Sequence, residues 1–236
     1  MTGSGQRTVP LLEAVAAALR GAPASVREEP ADPLAAPPVP VVVLDEFLAR
    51  PELDALVEWV LGHEAGFVVS GVITPSGTGR LDTDHRRSKV LCDPGPFKTL
   101  FEERLMSALG HVRERLGMAD FPVRQIEMQI TASNDGEYFR AHTDNTHRLL
   151  TGRELTYVYF FHREPVPFTG GRLRFLETRL VDGQPIPGAA VAEIEPRQNS
   201  VVFFPSFHYH EVETVSCPSR RFTDSRFTVN GWFRSA

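Results

Sequence analysis

The spacing of apolar residues separates a helix-containing first half from a strand-rich second half. Leu12, Val15, Ala16 and Leu19 fall at i, i+3, i+4 and i+7, which predicts a short amphipathic helix over about Val9 to Arg20. Residues 21–40 are rich in Ala and Pro and close on Ala-Pro-Pro-Val-Pro. Proline fixes φ and removes a donor, so this composition reads as an extended linker. A compact domain is therefore expected over residues 39–236, with the short helix and linker of residues 1–38 outside it. Within that domain the apolar run Val41 to Leu44 predicts a buried strand. Pro51, Glu52 and Asp54 suit the first turn of a helix whose stripe is Leu53, Leu56, Val57, Val60 and Leu61. A strand-like stretch over 66–73 leads to a long polar loop, 74–88, a candidate lid. A second amphipathic helix carries Phe97, Leu100, Phe101, Leu105, Leu109, Val112 and Leu116 on one side.

From Val123 the period shortens. Strand-like runs cover about 123–132, 137–142, 154–162, 171–176, 191–195, 199–204, 208–215 and 226–234. Asn134-Asp135-Gly136, Thr169-Gly170-Gly171, Asp182-Gly183 and Arg197-Gln198-Asn199 separate them as turns. Eight strands at this spacing predict a mainly β fold with flanking helices (α+β): a Greek-key jelly roll with both helices on one outer face.

Composition narrows the function without naming it. With 42% hydrophobic and 23% charged residues the chain is an ordinary globular one, and its net charge of −5 gives no reason to expect a nucleic-acid partner. No apolar run approaches the ~20 residues of a spanning helix, so no membrane role is expected. Cys92 and Cys217 cannot form a disulfide framework and sit in no Cys-x-x-Cys, which favours a reducing, cytoplasmic setting.

The candidate chemistry begins at His142-Thr143-Asp144. On an extended segment the imidazole and carboxylate share a face, and together they are two thirds of a facial triad for non-haem Fe(II). A second histidine is available from Phe207-His208-Tyr209-His210, where His208 and His210 both qualify by alternation. Further on, Arg226 and Thr228 share a strand face. A guanidinium beside a hydroxyl is a receptor for a carboxylate, because it offers parallel charge-assisted hydrogen bonds.

In this order, the features resemble the 2-oxoglutarate- and Fe(II)-dependent oxygenases, in their prolyl 4-hydroxylase-like branch. The resemblance runs from about Val39 to Phe233. It rests on Asp135-Gly136-Glu137-Tyr138 leading into His142-Thr143-Asp144, on Leu155 to Phe160, and on Gly170 to Phe175. It continues through Pro196 to Pro205, His210 to Val215, and Arg226 to Phe233. It implies a double-stranded β-helix in which His142, Asp144 and His210 bind Fe(II). It also implies 2-oxoglutarate as a cosubstrate, chelating the metal at its keto-acid end and held at its distal carboxylate by Arg226 with Thr228. O2 is consumed, succinate is formed, and ascorbate serves as an auxiliary reductant. The activity implied is hydroxylation of a prolyl or other residue of a peptide or protein. The alternatives are a tailoring oxygenase acting on a free amino acid or secondary metabolite, and a jelly-roll module that binds a metal or ligand without turnover.

Two departures from the family pattern matter. Where relatives carry a tyrosine for the distal carboxylate, the matching positions here are Thr131 and Phe160. The stretch between Val215 and Arg226 is also long, which leaves Arg220 and Arg221 as competitors for the anchoring role. Asn145 is a candidate for a hydrogen bond behind the metal ligands, or for a turn.

Overall fold

The computed structural model describes residues 40–73, 79–80, 82–145, 150, 152–181 and 184–236. The helix expected over 9–20, the linker before residue 40 and residues 74–78 and 81 of the loop expected over 74–88 lie outside the described residues.

Strand β1 (Val42–Leu44) precedes helix α1 (Arg50–Leu61). Four two-residue strands follow: β2 (Val68–Val69), β3 (Val72–Ile73), β4 (Gly79–Arg80) and β5 (Arg86–Arg87). Next come β6 (Lys89–Leu91) and helix α2 (Phe97–Leu116). The remaining strands are β7 (Gln125–Ser133), β8 (Tyr138–His142), β9 (Arg153–Phe161), β10 (Thr169–Gly170), β11 (Leu173–Val181), β12 (Gln184–Ile194), β13 (Ser200–Pro205), β14 (His210–Val212), β15 (Val215–Ser216) and β16 (Arg226–Arg234). The larger sheet runs β1-β13-β9-β16-β7-β6-β2 and the smaller runs β12-β11-β14-β8-β5. Strands β13, β9, β16 and β7 of the larger sheet face β12, β11, β14 and β8 of the smaller one, and these eight make the jelly roll expected from the strand spacing.

Several boundaries differ from the expectation. The run over 171–176 extends to Val181, and the run over 191–195 begins at Gln184; together they form one long hairpin. Its outer half is exposed at Val181 and Ile186, so no buried face marks it in the sequence. The run over 208–215 is broken, because the chain leaves β14 after Val212 and rejoins as β15 against β10. The stretch over 66–73 is likewise interrupted between β2 and β3.

Alternation on the central strands builds two apolar layers. Tyr157, Tyr159 and Phe161 of β9, Val201 and Phe203 of β13, and Phe227, Val229 and Phe233 of β16 point outward into a core shared with both helices. Phe101 of α2 meets the Tyr159 ring at 5.2 Å. Glu52 ties the helices together: its carboxylate accepts Ala49 N–H at 2.8 Å and pairs with Arg104 at 2.7 Å. Phe160, Leu173, Phe175, Val202 and Phe204 fill the space between the sheets. Each buried phenyl group contributes about 1.5–3 kcal/mol of burial free energy. On β16 the alternate face is polar: Arg226, Thr228, Asn230 and Trp232 line a cavity between the sheets. No helix of the described residues is long and apolar enough to cross a membrane.

Candidate metal centre and carboxylate pocket

The last residue of β8, His142, pairs directly with the first residue of β14, His210. Cross-strand partners share a face at one level, and the ring centroids lie 4.2 Å apart. Asp144 is not on the strand, which ends at His142; a bend carries it back toward the imidazoles. Its backbone N–H donates to Ser206 O at 2.9 Å, and its Oδ2 accepts the Thr156 hydroxyl at 2.8 Å. His142 Nε2 is 3.7 Å from Asp144 Oδ1, and His210 Nε2 is 3.5 Å from Asp144 Oδ2. One ligand atom from each residue fits within 4.8 Å, a set able to hold a metal ion.

The opposite ring nitrogens fix the tautomers. His142 Nδ1 faces the Arg140 carbonyl at 2.8 Å and His210 Nδ1 faces the His208 carbonyl at 3.0 Å. A carbonyl only accepts, so each Nδ1 carries the proton and each Nε2 presents a lone pair toward Asp144. Burial, with the facing His210, holds the His142 imidazole well below its ordinary pKa, so it stays neutral. Burial pushes the Asp144 carboxyl up, but the nearby His210 and His142, with the Trp232 and Thr156 side chains, outweigh it and hold it below the usual range. Two imidazoles, deprotonated at Nε2 as metal binding requires, and one carboxylate on one side are a donor set for Fe(II) that leaves the other side open. His208 lies in the bend before β14, with Nε2 buried and unpartnered and its ring 4.4 Å from Phe207, outside the three-residue cluster.

Arg226 lines the same cavity as the three ligand candidates. It is 2% exposed, and its Nε and one terminal nitrogen are buried with no hydrogen-bond partner. Its guanidinium carbon sits 5.0 Å over the Phe160 ring, and burial pushes its pKa down to about 9. A buried cation with open donors is costly unless an anion meets it. Arg220 and Arg221 are turned elsewhere: their side chains are mostly exposed, bonded to Asp135 at 3.0 Å and Asp224 at 2.9 Å. Gly171 explains how Arg226 is placed. At φ +72°, a Cβ there would stand 2.6 Å from Arg226 Cδ, so the glycine of the Thr-Gly-Gly turn makes room for the arginine stem.

Thr131 and Phe160 are the two cross-strand neighbours of Thr228. Thr228 and Thr131 both donate to Asn230 Oδ1, at 3.2 and 2.7 Å. Asn230 therefore organises the hydroxyls beside Arg226, and sequence reading missed it. The alternation Arg226, Thr228, Asn230, Trp232 was the signal that could have found it. Also missed were Trp232, whose side chain helps hold the Asp144 carboxyl low, and Arg86, both lining the cavity. Among the described residues, Asn145 Nδ2 reaches the Arg153 carbonyl, at 3.4 Å.

Outside the cavity lies a cleft of about 1030 Å³, and His142, Asp144, Arg86, Phe139, Gln129 and Trp232 border both spaces. The inner space suits a small dianion between metal and arginine, and the outer cleft is of ligand-binding size.

Comparison with known proteins adds similarities. Residues 128–234 match the model of the 2OG-Fe(II) oxygenase superfamily. A PKHD-type hydroxylase of Synechocystis sp. is 35% identical over 193 residues, which cover 81% of this chain and 62% of that protein. The chain thus spans about 62% of the length of that curated relative. A Pseudomonas putida prolyl-4-hydroxylase has a similar fold (TM-score 0.56, 20% identity, 84% of this chain and 94% of that one). So does a Trichoplax adhaerens prolyl hydroxylase in complex with a hypoxia inducible factor oxygen degradation domain peptide fragment (TM-score 0.55, 14% identity, 98% and 94%).

Proposed function

We propose that the chain is a member of the 2-oxoglutarate- and Fe(II)-dependent oxygenase superfamily and, from that premise, a hydroxylase acting on a peptide or small molecule. The observation that carries this reading is the pairing of two sites in one cavity: three converging ligand atoms, and a buried guanidinium with open donors.

In this reading His142, Asp144 and His210 hold the iron. Arg226 receives the distal carboxylate of 2-oxoglutarate, with Thr228, Thr131 and Asn230 around it. The residues fit both groups, since the Nε2 lone pairs are pre-aimed and Arg226 lacks an anion. When bound, iron, 2-oxoglutarate and O2 supply hydroxylation of a C–H bond as the cosubstrate is decarboxylated to succinate. The chain's own task is orientation and exclusion. The carbonyls of Arg140 and His208 lock the imidazoles, and Thr156 with Ser206 holds the carboxylate. Phe139, Val158, Leu173 and Val212 give the cavity dry walls, within which electrostatic contacts gain strength.

The substrate we favour is a prolyl or other residue of a peptide or protein. Two facts support it: the outer cleft extends well beyond the inner cavity, and relatives of similar fold are prolyl hydroxylases, one holding a peptide. We read residues 39–236 as one catalytic unit. The unpaired thiols of Cys92 and Cys217 suit a reducing compartment such as the cytoplasm.

The test is 2-oxoglutarate-dependent succinate release by the Fe(II)-loaded protein, followed by mass spectrometry of a proline-containing peptide library. Succinate formation abolished in Asp144→Ala, with peptides gaining an oxygen atom, is the expected result. Failure of the wild-type protein to bind 2-oxoglutarate in the presence of Mn(II) would overturn the reading.

A further inference from the structure

We propose that Arg86 is a receptor for a carboxylate carried by the substrate, next to the carbon that is hydroxylated. The proposal rests on the Fe(II)/2-oxoglutarate reading above and names the chemistry of the substrate within it.

Arg86 opens β5, the edge strand of the smaller sheet, and pairs with Phe139 of β8. Its guanidinium carbon lies 4.7 Å over the Phe139 ring, and that ring stacks on His142 at 3.6 Å and 16°. Cation, phenyl ring and metal-ligand imidazole thus form one three-layer stack. The Nε edge is also fixed: it donates to Ser88 Oγ at 3.0 Å, and Ser88 Oγ shares a hydrogen bond of 2.8 Å with Ser70 Oγ, both serines being buried. A guanidinium clamped on one face and one edge presents its terminal nitrogens in a fixed direction, the arrangement that suits a carboxylate. Arg86 borders both the inner cavity and the outer cleft, at their junction beside the metal centre.

Arg86 forms no ion pair among the described residues. The carboxylate whose charge acts on it, Asp144, is turned to the two imidazoles and Thr156. The other acids of the cleft are engaged: Asp82 accepts the His85 N–H, Asp93 accepts the Gly95 N–H, and Glu127 holds Arg153. The other cleft cations have partners too: Arg153 in Glu127, stacked on Trp232 at 3.4 Å, and Lys98 4.0 Å from Glu102. The cosubstrate cannot supply the missing anion. Of its two carboxylates, one belongs at the metal and the other at Arg226, on the larger sheet. Arg86, on the smaller sheet, is left for the remaining reactant.

The experiment uses the full chain loaded with Mn(II) and saturated with 2-oxoglutarate. The probes are N-acetylproline and its neutral amide, with a peptide pair placing Asp or Asn beside proline. Proton relaxation induced by Mn(II) reports which probes bind next to the metal. The expected result is tighter binding of the carboxylate probes by at least about tenfold, the order of one charge-assisted hydrogen bond. Arg86→Gln should erase that preference and Arg86→Lys should keep part of it, both with wild-type 2-oxoglutarate affinity, which also reports correct folding. A preference limited to N-acetylproline identifies a terminal carboxylate as the source; one limited to the Asp peptide identifies a side chain. Equal binding of acid and amide by the wild type, binding of neither, or an Arg86→Gln loss that falls on 2-oxoglutarate would overturn the proposal. Absence of 2-oxoglutarate binding in the wild type would instead sink the reading on which it rests.

Discussion

His142 and His210 are direct cross-strand partners, so the two imidazoles meet because β8 and β14 are in register. His208 precedes that strand and contributes its carbonyl to His210. His210→Ala should therefore lower Mn(II) affinity by more than about 100-fold, since even outer partners of metal ligands are worth about 10–100-fold. His208→Ala keeps the backbone carbonyl and should retain most of the metal affinity and 2-oxoglutarate decarboxylation. Calorimetric metal titration of both variants decides the matter; normal loading of His210→Ala would refute the assignment.

Arg226→Ala should weaken 2-oxoglutarate far more than Arg220→Ala or Arg221→Ala. Breaking a buried charge pair costs about 3–5 kcal/mol, hundreds-fold or more in affinity. The Arg220 and Arg221 side chains are exposed and held by Asp135 and Asp224, and their loss should leave the affinity within about twofold. Titration with 2-oxoglutarate in the presence of Mn(II) checks this, and the largest loss at Arg221 would refute it.

Gly171→Ala should act on the same carboxylate without touching the metal. Its methyl group would stand 2.6 Å from Arg226 Cδ and 2.9 Å from Val215 Cγ2, on a backbone at φ +72°. A non-glycine residue there costs about 1–3 kcal/mol. The KM for 2-oxoglutarate should rise while Mn(II) affinity holds, and an unchanged KM would show that the arginine stem has room to move.

Acid should destabilise the metal-free protein. The His142 pKa is lowered in the folded state by burial and by His210, against about 6.5 when unfolded. The unfolded chain therefore binds the proton more readily. The contribution of His142 to stability is full above pH ~6.5 and declines as pH falls below it. Urea midpoints measured from pH 8 to 5 should drop over the acidic part of that range, and less steeply with Mn(II) present. A flat profile in the metal-free protein would count against a neutral buried His142.

Much of this was legible because period-two alternation reports both burial and direction. It exposed the central strands and the shared face of Arg226 and Thr228, while the resemblance to the oxygenases picked out Thr131 and Phe160, which flank Thr228. What stayed hidden depends on backbone atoms and on contacts between distant segments. The carbonyls of Arg140 and His208 that set the tautomers have no side-chain signature. Gly171 looks like any turn glycine until the Arg226 stem is seen against it. Arg86 stood in a polar stretch without periodicity, and its role comes from stacking on Phe139. The outer hairpin of β11 and β12 is held by its own ladder and not by burial, so hydropathy could not mark its length.

Strand β16 is paired on both sides, by β7 and by β9, and its two faces do different work. A slip of one residue would turn Phe227 and Val229 into the cavity and Arg226 and Thr228 into the helix-packed core. That error would bury a cation among aromatic rings and strip the cavity of its cation in one stroke. Misregistered molecules are therefore excluded from the stable population by the same side chain that we propose as the receptor for an anion. On the proposed reading, 2-oxoglutarate affinity is consequently an assay of foldedness: a preparation that titrates to full stoichiometry is one in which this strand has found its place.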